Sequence, residues 1–151
     1  MKATVITVSD RASAGTYTDE AGPVVARILT DAGFDVADTI VIPDERDRIE
    51  AELRARAATA DVVVTTGGTG LGPRDVTPEA TRAVIEREVP GLAEAMRAAG
   101  LAHTTNAALS RQVCGTLGRS LIVNVPGSPK AAAECLEAIA HVLVHGVEMM
   151  R

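Results

Sequence analysis

The sequence predicts a three-layer α/β/α domain with a mostly parallel central sheet. Three observations carry that expectation. Short β-branched runs alternate with longer stretches of helical period, in the order β-α-β-α-β-α-α-β-α, and such alternation folds as parallel strands joined by crossover helices. Several runs are apolar on successive residues, the pattern of strands covered on both faces. The chain has 151 residues, so residues 1–151 read as one domain, and at this length about 70% of the unfolded surface is removed on folding.

Residues 3–8 (ATVITV) form the first predicted strand, which ends at Ser9-Asp10-Arg11. A small polar loop is expected over residues 12–19. Val24, Val25, Ile28, Leu29 and Ala32 then recur at helical spacing, and Gly33 closes that helix. Residues 36–42 are the second strand, stopped by Pro43. Asp44 starts the next helix, with Ile49, Leu53 and Ala57 on one face.

Residues 61–66 (DVVVTT) are a third strand running straight into Gly67-Gly68-Thr69-Gly70-Leu71-Gly72-Pro73-Arg74-Asp75. Thr77-Pro78 combines a capping hydroxyl with proline at the first helical position, and this helix is expected to reach about Glu88. Pro90 opens another helix that ends near Gly100. Residues 113–122 hold a hairpin around residues 115–118, and residues 121–125 are a buried strand. Ser128-Pro129 repeats the cap-then-proline signal. Leu136, Ile139, Ala140, Leu143, Val144 and Val147 line the inner face of the last helix.

Composition narrows the function. Hydrophobic residues make up 46% of the chain and charged residues 23%, which excludes disorder and collagen-like repeats. Lys and Arg number 15 against 20 Asp and Glu, a formal charge of −5, with one Tyr, one Phe and no Trp. Such a chain lacks both the basic excess for a phosphate backbone and the rings for stacking bases, so no nucleic-acid partner is expected. A small anionic ligand remains compatible, because local backbone amides act independently of net charge. The opening residues read as a strand rather than a secretory leader, and no apolar run approaches the roughly 20 residues of a membrane span. A cytoplasmic protein is expected. Its two cysteines, Cys114 and Cys135, read as reduced, small hydrophobes.

In open parallel sheets, ligands bind beyond the carboxyl ends of the strands. Those ends carry Ser9 and Asp10, Asp44, residues 67–75, and Pro126-Gly127-Ser128. If the sheet is parallel, all four groups share one edge. The loop Gly67-Gly68-Thr69-Gly70 is either a tight turn or a cradle for phosphate, and its place after a buried strand favours the cradle. It is not a Walker loop, which needs lysine after its last glycine, nor a dinucleotide fingerprint. Asp44 reads equally as a helix cap or a ligand. Asp75 is spare, because Thr77 already caps the helix, and a spare carboxylate beside a phosphate-type loop suits Mg2+. Asp10 is a third acid or a solvated loop residue. Ser110 lacks a placed histidine and reads as a structural or ligand-contact hydroxyl rather than a nucleophile. His141 and His145 stand one turn apart, but the glutamate of a zinc-protease helix is missing between them.

Four stretches, VSDRASAGTYTDEAGP, TTGGTGLGPRDVTPEAT, LSRQVCG and NVPGSPKAAAECL, closely resemble the MogA/MoaB-type molybdenum cofactor biosynthesis proteins, the molybdopterin adenylyltransferase family. The resemblance covers residues 5 to about 143 and implies a single molybdopterin-binding domain over residues 1–151. It implies transfer of AMP from ATP to the terminal phosphate of molybdopterin, with release of pyrophosphate. By the same resemblance Asp44 and Asp75 match the two acids that act in catalysis with Mg2+. Gly67, Gly68, Thr69 and Gly70 match the loop around the pterin and nucleotide phosphates. Ser9 and Asp10 match the first loop of the pocket, Ser110 a serine near the pterin, and Pro126, Gly127 and Ser128 the nucleotide-side loop. A homotrimer that hands its product to a MoeA-type, molybdate-inserting protein is also implied.

The implied chemistry suits the residues. A phosphate monoester, with a second pKa of about 6, is already ionised near neutral pH and needs no general base. The protein supplies positioning and charge stabilisation, through backbone amides, Mg2+ and the cations Arg74, Arg111 or Lys130. Three alternatives stand beside this one: a MoaB-like protein that binds molybdopterin without catalysis, a competence-damage-type nucleotide pyrophosphatase, and a structural subunit of a larger complex.

Overall fold

A computed structural model describes residues 1–151. Its elements, in chain order, are β1 (Lys2–Val8), α1 (Asp10–Ser13), α2 (Ala21–Asp31), β2 (Asp35–Ile42), α3 (Arg46–Ala57), β3 (Val62–Thr66), α4 (Thr77–Val84), β4 (Arg87–Glu88), α5 (Pro90–Leu101), a 3-10 turn (Thr105–Leu109), β5 (Cys114–Leu117), β6 (Ser120–Val125) and α6 (Pro129–Glu148). The six strands form one sheet in the order β2-β1-β3-β6-β5-β4. β2, β1, β3 and β6 are parallel, and β5 and β4 continue the β6 edge antiparallel. The expected class is therefore correct, with an antiparallel margin added.

The strands sort their side chains by strict alternation. Ala3 and Val5 of β1, Val62 and Val64 of β3, and Leu121, Val123 and Val125 of β6 enter a core cluster of 20 buried residues shared with α2, α5 and α6. Ile6 and Val8, Val63 and Ile122 enter a second cluster of 10, beneath α3 and α4. Each inner strand is thus buried on both faces, which explains the unbroken apolar runs, and each fully buried Val or Ile contributes about 1.5–3 kcal/mol. Ile49 and Leu53 of α3 are fully buried, as are Leu136, Leu143 and Val147 of α6, with Ile139 at 1% exposure. No helix of the structure is long and apolar enough to cross a membrane.

Four local expectations need correction. Asp10–Ser13 is a short helix, not loop, because the Ser9 hydroxyl accepts from the Ala12 N–H at 3.1 Å and caps it. The helix after Asp44 begins at Arg46, and its cap position is Glu45, with no side-chain bond. The cap position of α4 is Val76, so Thr77 starts that helix without capping it. That helix also stops at Val84 rather than near Glu88. Ile85 turns to extended backbone, and Arg87–Glu88 pairs with β5 instead, flanked by Glu86 N–H to Thr116 O at 2.7 Å and Val89 N–H to Cys114 O at 2.8 Å. Pro90 ahead and an open strand edge beside it make that exchange favourable.

A buried polar hub ties the sheet to α4. Asn124 donates from Nδ2 to Thr65 Oγ1 and to Thr81 Oγ1, both at 2.9 Å, and its Oδ1 accepts from the Val113 N–H at 3.1 Å. Every hydrogen-bonding atom of that amide is engaged in a dry interior, where losing one partner strands the other. Asn124→Leu is expected to destabilise the fold by about 3 kcal/mol, read as a lower urea midpoint at an unchanged slope. A change within ~0.5 kcal/mol would show that the hub does not hold these elements together.

Candidate active site

The parallel strands open on one edge. Ser9 and Asp10 follow β1, Asp44 follows β2, the loop 67–75 follows β3, and Pro126, Gly127 and Ser128 follow β6. Threonines at the strand ends fix these loops. Thr66 Oγ1 donates to Pro126 O at 2.7 Å, and Thr7 Oγ1 donates to Asp19 Oδ2 at 2.7 Å.

The glycines are there for close approach. Gly67 has φ of 104° and Gly68 of 68°, both in the left-handed region that disfavours side chains. A Cβ on Gly67 would stand 2.3 Å from the Val8 carbonyl oxygen. On Gly68 it would stand 2.3 Å from Thr77 Oγ1 and 3.1 Å from Asp44 Oδ1. On Gly127 it would meet Gly67 Cα at 3.2 Å, so the last loop rests against the glycine loop. The Thr77 hydroxyl donates to Gly67 O at 3.0 Å, and the Thr77 N–H donates to Gly68 O at 3.2 Å. Thr77 therefore anchors the start of α4 to the loop rather than to its own helix.

The cations expected to meet phosphate are differently employed. Arg111 donates from Nε to Gly70 O at 2.8 Å and from Nη2 to Asp75 O at 2.8 Å, and its Nη1 pairs with Glu79. It is a clamp on the glycine loop, not a free charge. Arg74 grips Asp10, from Nε to Oδ2 at 2.7 Å and Nη2 to Oδ1 at 3.0 Å. The Lys130 side chain is 84% exposed and makes only a long ion pair, 4.0 Å, with Glu134 one turn on.

Asp10 and Asp44 latch the β1 and β2 loops together. The Asp10 N–H donates to Asp44 Oδ2 at 2.8 Å, and the Asp44 N–H donates to Asp10 Oδ1 at 2.9 Å. Asp44 is therefore not a helix cap, and Asp10 is not a free loop acid. The Arg74 hydrogen bond holds the Asp10 carboxyl below its ordinary range. Burial pushes Asp44 up, and the charges of Asp10 and Asp75 add to the rise. Asp75 Oδ2 accepts from the Gly72 N–H at 2.9 Å.

Two chambers meet at the glycine loop. One, of about 520 Å³, is polar and is bounded by Ser9, Asp10, Asp44, Gly67, Asp75 and Ser128. The other, of about 420 Å³, is more apolar and is bounded by Thr69, Gly70, Met96, Ser110, Gln112 and Pro126. Gly68, Asp75 and Gly127 border both. Every residue expected at the site thus lies on one chamber or the other. Both volumes lie in the ordinary range for small-molecule sites. Ser128 also caps the 20-residue α6, accepting from the Ala131 N–H at 3.1 Å, and with Pro129 it brings the amino end of that helix to the border of the polar chamber.

Reasoning from sequence missed Gln112 and Arg97, which line the apolar chamber. The signal available was the alternation Ser110-x-Gln112 in an extended segment. Ser110 Oγ is buried without a partner, as is Gln112 Nε2. The cysteines behave as expected: both are buried and free, and burial pushes the Cys114 thiol up to about 12. His141 and His145 lie on the exposed face of α6. No group of three or more His, Cys, Asp or Glu is arranged to hold a metal.

The fold and site define a class, an α/β domain with two chambers meeting at a glycine loop on the carboxyl edge of its sheet. The chain belongs to the family described as "Probable molybdopterin binding domain", whose profile matches residues 4–145. A molybdopterin adenylyltransferase of Helicobacter pylori is 41% identical over 97% of this chain and 85% of its own length. The molybdenum cofactor synthesis protein cinnamon of Drosophila melanogaster is 43% identical over 97% of this chain, which spans only 25% of that longer protein. Among solved structures, the molybdopterin biosynthesis enzyme MoaB of Thermus thermophilus superposes with a TM-score of 0.93 at 47% identity, covering 99% of this chain and 95% of its own.

Proposed function

We propose that this chain is a molybdopterin adenylyltransferase, with the nucleotide in the polar chamber and the pterin in the apolar one. The observation that carries this reading is the shared border. Gly68, Asp75 and Gly127 face both chambers, so a phosphate entering from one side meets a phosphate entering from the other. The reaction asks for that arrangement. The terminal phosphate of molybdopterin attacks the α-phosphorus of ATP, a new P–O–P link forms, the bond to the β-phosphate oxygen breaks, and pyrophosphate leaves. The attacking monoester is already ionised at neutral pH, so a site without a histidine at the boundary is suited to it.

The chain's residues supply positioning and charge. Glycine-loop amides approach the phosphates closely, held in place by Thr77 and by the Arg111 clamp. The amino end of α6 adds its partial positive charge. Asp44 and Asp75 both face the polar chamber and are the residues that would hold Mg2+. Their crowding supports that role, because burial and the neighbouring Asp10 and Asp75 charges already oppose the Asp44 charge. When bound, Mg2+ neutralises phosphate charge; it typically uses one or two protein carboxylates and takes its remaining ligands from phosphate and water.

Asp44→Asn tests the same point. It keeps an acceptor for the Asp10 N–H and removes the disfavoured charge. The expected outcome is a higher melting temperature without ligand, together with a loss of turnover of about 100-fold or more. A lower melting temperature or undiminished turnover would contradict it.

We read residues 1–151 as one molybdopterin-binding domain, cytoplasmic, acting before a MoeA-type protein that inserts molybdate. We propose a homotrimer, with the exposed Leu71, Leu101 and Leu109, at 67%, 47% and 54%, offering apolar surface for contacts between copies. Sedimentation at about three times the 15.6 kDa chain mass is expected. The function itself is tested by pyrophosphate release. It is expected with Mg-ATP only when molybdopterin is present. Tight binding of both ligands without release would instead favour a binding protein, the reading to which the MoaB likeness would then point.

A further inference from the structure

We infer that Gln112 is a specificity-determining residue of the apolar chamber, and that its free amide donor reads the ring carbonyl of a pterin-type bicycle. This rests on the reading of that chamber as the pterin side.

The segment that carries Gln112 is held rigidly. Arg97 donates from Nε to Ser110 O at 3.1 Å and from Nη2 to Gln112 O at 3.5 Å. The Arg111 N–H donates to Thr69 O at 2.9 Å, and the Val113 N–H donates to Asn124 Oδ1 at 3.1 Å. In extended backbone, successive side chains point to opposite sides. Arg111 turns toward Glu79 and the glycine loop, while Ser110 and Gln112 both border the chamber. Gln112 is 3% exposed, and its Nε2 has no hydrogen-bond partner. Its Oε1 has only the Cys135 thiol, a weak donor, at 3.9 Å.

A buried amide donor without a partner is costly in a folded protein and calls for a reason, and at the wall of a chamber an incoming ligand supplies one. The character of the donor narrows that ligand. Gln112 is neutral, and the apolar Met96, Ala107 and Leu109 border the same chamber, so it suits a planar heterocycle rather than a phosphate. On the reading above, phosphate is held at the glycine loop instead. A donor at that depth asks for a ring acceptor, and the 4-oxo group of a pterin is one. Replacing that oxygen with an amine would set donor against donor as the amide stands, and turning the amide over to accept from the amine would give up the Cys135 contact at Oε1.

Two measurements test the inference. First, Gln112→Met keeps side-chain length and burial while removing the amide. Titration with molybdopterin is expected to show an affinity about 10-fold weaker or more than wild type. The KM for ATP is expected to stay unchanged, and the melting temperature without ligand to be no lower. Equal molybdopterin affinity in the two proteins overturns the inference alone. So does a parallel loss of molybdopterin and ATP binding with a lower melting temperature, which marks a structural role. A wild-type protein that fails to bind molybdopterin overturns both the inference and the reading of the chamber. Second, wild type is titrated with pterin and with 2,4-diaminopteridine, followed by ring fluorescence. A preference for pterin of about 10-fold is expected, and equal binding overturns the inference without recourse to any variant.

Discussion

Asp75→Asn is expected to reduce adenylyl transfer by about 10²–10³-fold or more while leaving the chain folded. The two consequences separate because the carboxylate has two jobs. Its Oδ2 accepts from the Gly72 N–H at 2.9 Å, and an asparagine oxygen serves that bond as well. Its charge faces both chambers at their common border, and no neutral side chain replaces it. Asp75 is only half-buried, so loss of its charge has little effect on the core. The checks are pyrophosphate release under saturating Mg-ATP and molybdopterin, and a melting curve. Turnover near the wild-type rate would show that Asp75 holds no metal at the reacting centre.

Gly67→Ala is expected to cost about 3–5 kcal/mol of stability and to remove activity in whatever fraction stays folded. Two effects act together. At φ of 104° an alanine is strained before it meets any neighbour. Its Cβ would then lie 2.3 Å from the Val8 carbonyl oxygen. That oxygen belongs to the end of β1, an inner strand paired on both edges, so it cannot withdraw alone. Relief has to come from the loop, which would pull Gly67 O from the Thr77 hydroxyl and Gly67 Cα from Gly127. Urea unfolding reads the stability, and ATP titration reads the site. A loss below ~1 kcal/mol would mean that the loop shifts freely and is not pinned to β1.

Much of this fold was legible because its signals are local and mutually consistent. Strand β3 is five residues of unbroken apolar and β-branched sequence; it forms where a strand was expected, and the structure places it inside the sheet between β1 and β6. The Ser128-Pro129 cap behaves as its residue types require. The errors fall where a tertiary partner outweighs a local preference. Thr77 had every local reason to cap its helix, yet its hydroxyl reaches Gly67 O, ten residues back in the chain. Asp44 suited a cap equally well, yet it pairs across 34 residues with Asp10. Strand β4 is two exposed residues, too short to leave a period, and only the open edge of β5 reveals it.

The site shows the same division. Its glycines and acids were readable because each ends a predicted strand, and parallel order gathers strand ends on one edge. The work of the arginines was not readable. Arg111 looked like a cation for phosphate, and its use as a clamp depends on Gly70, Asp75 and Glu79 arriving from other loops. Gln112 gave no signal stronger than alternation, because its meaning lies in an unpaired amide that only packing can expose.

The most direct experiment follows a label on the α-phosphorus of ATP. Wild-type protein is given labelled Mg-ATP with molybdopterin, and the products are separated. The expected result is label on molybdopterin, one equivalent for each pyrophosphate released, and no label transfer when molybdopterin is omitted. Label appearing as free AMP at the same rate with or without molybdopterin would make water the acceptor, and would contradict the meeting of two substrates at Gly68 and Asp75.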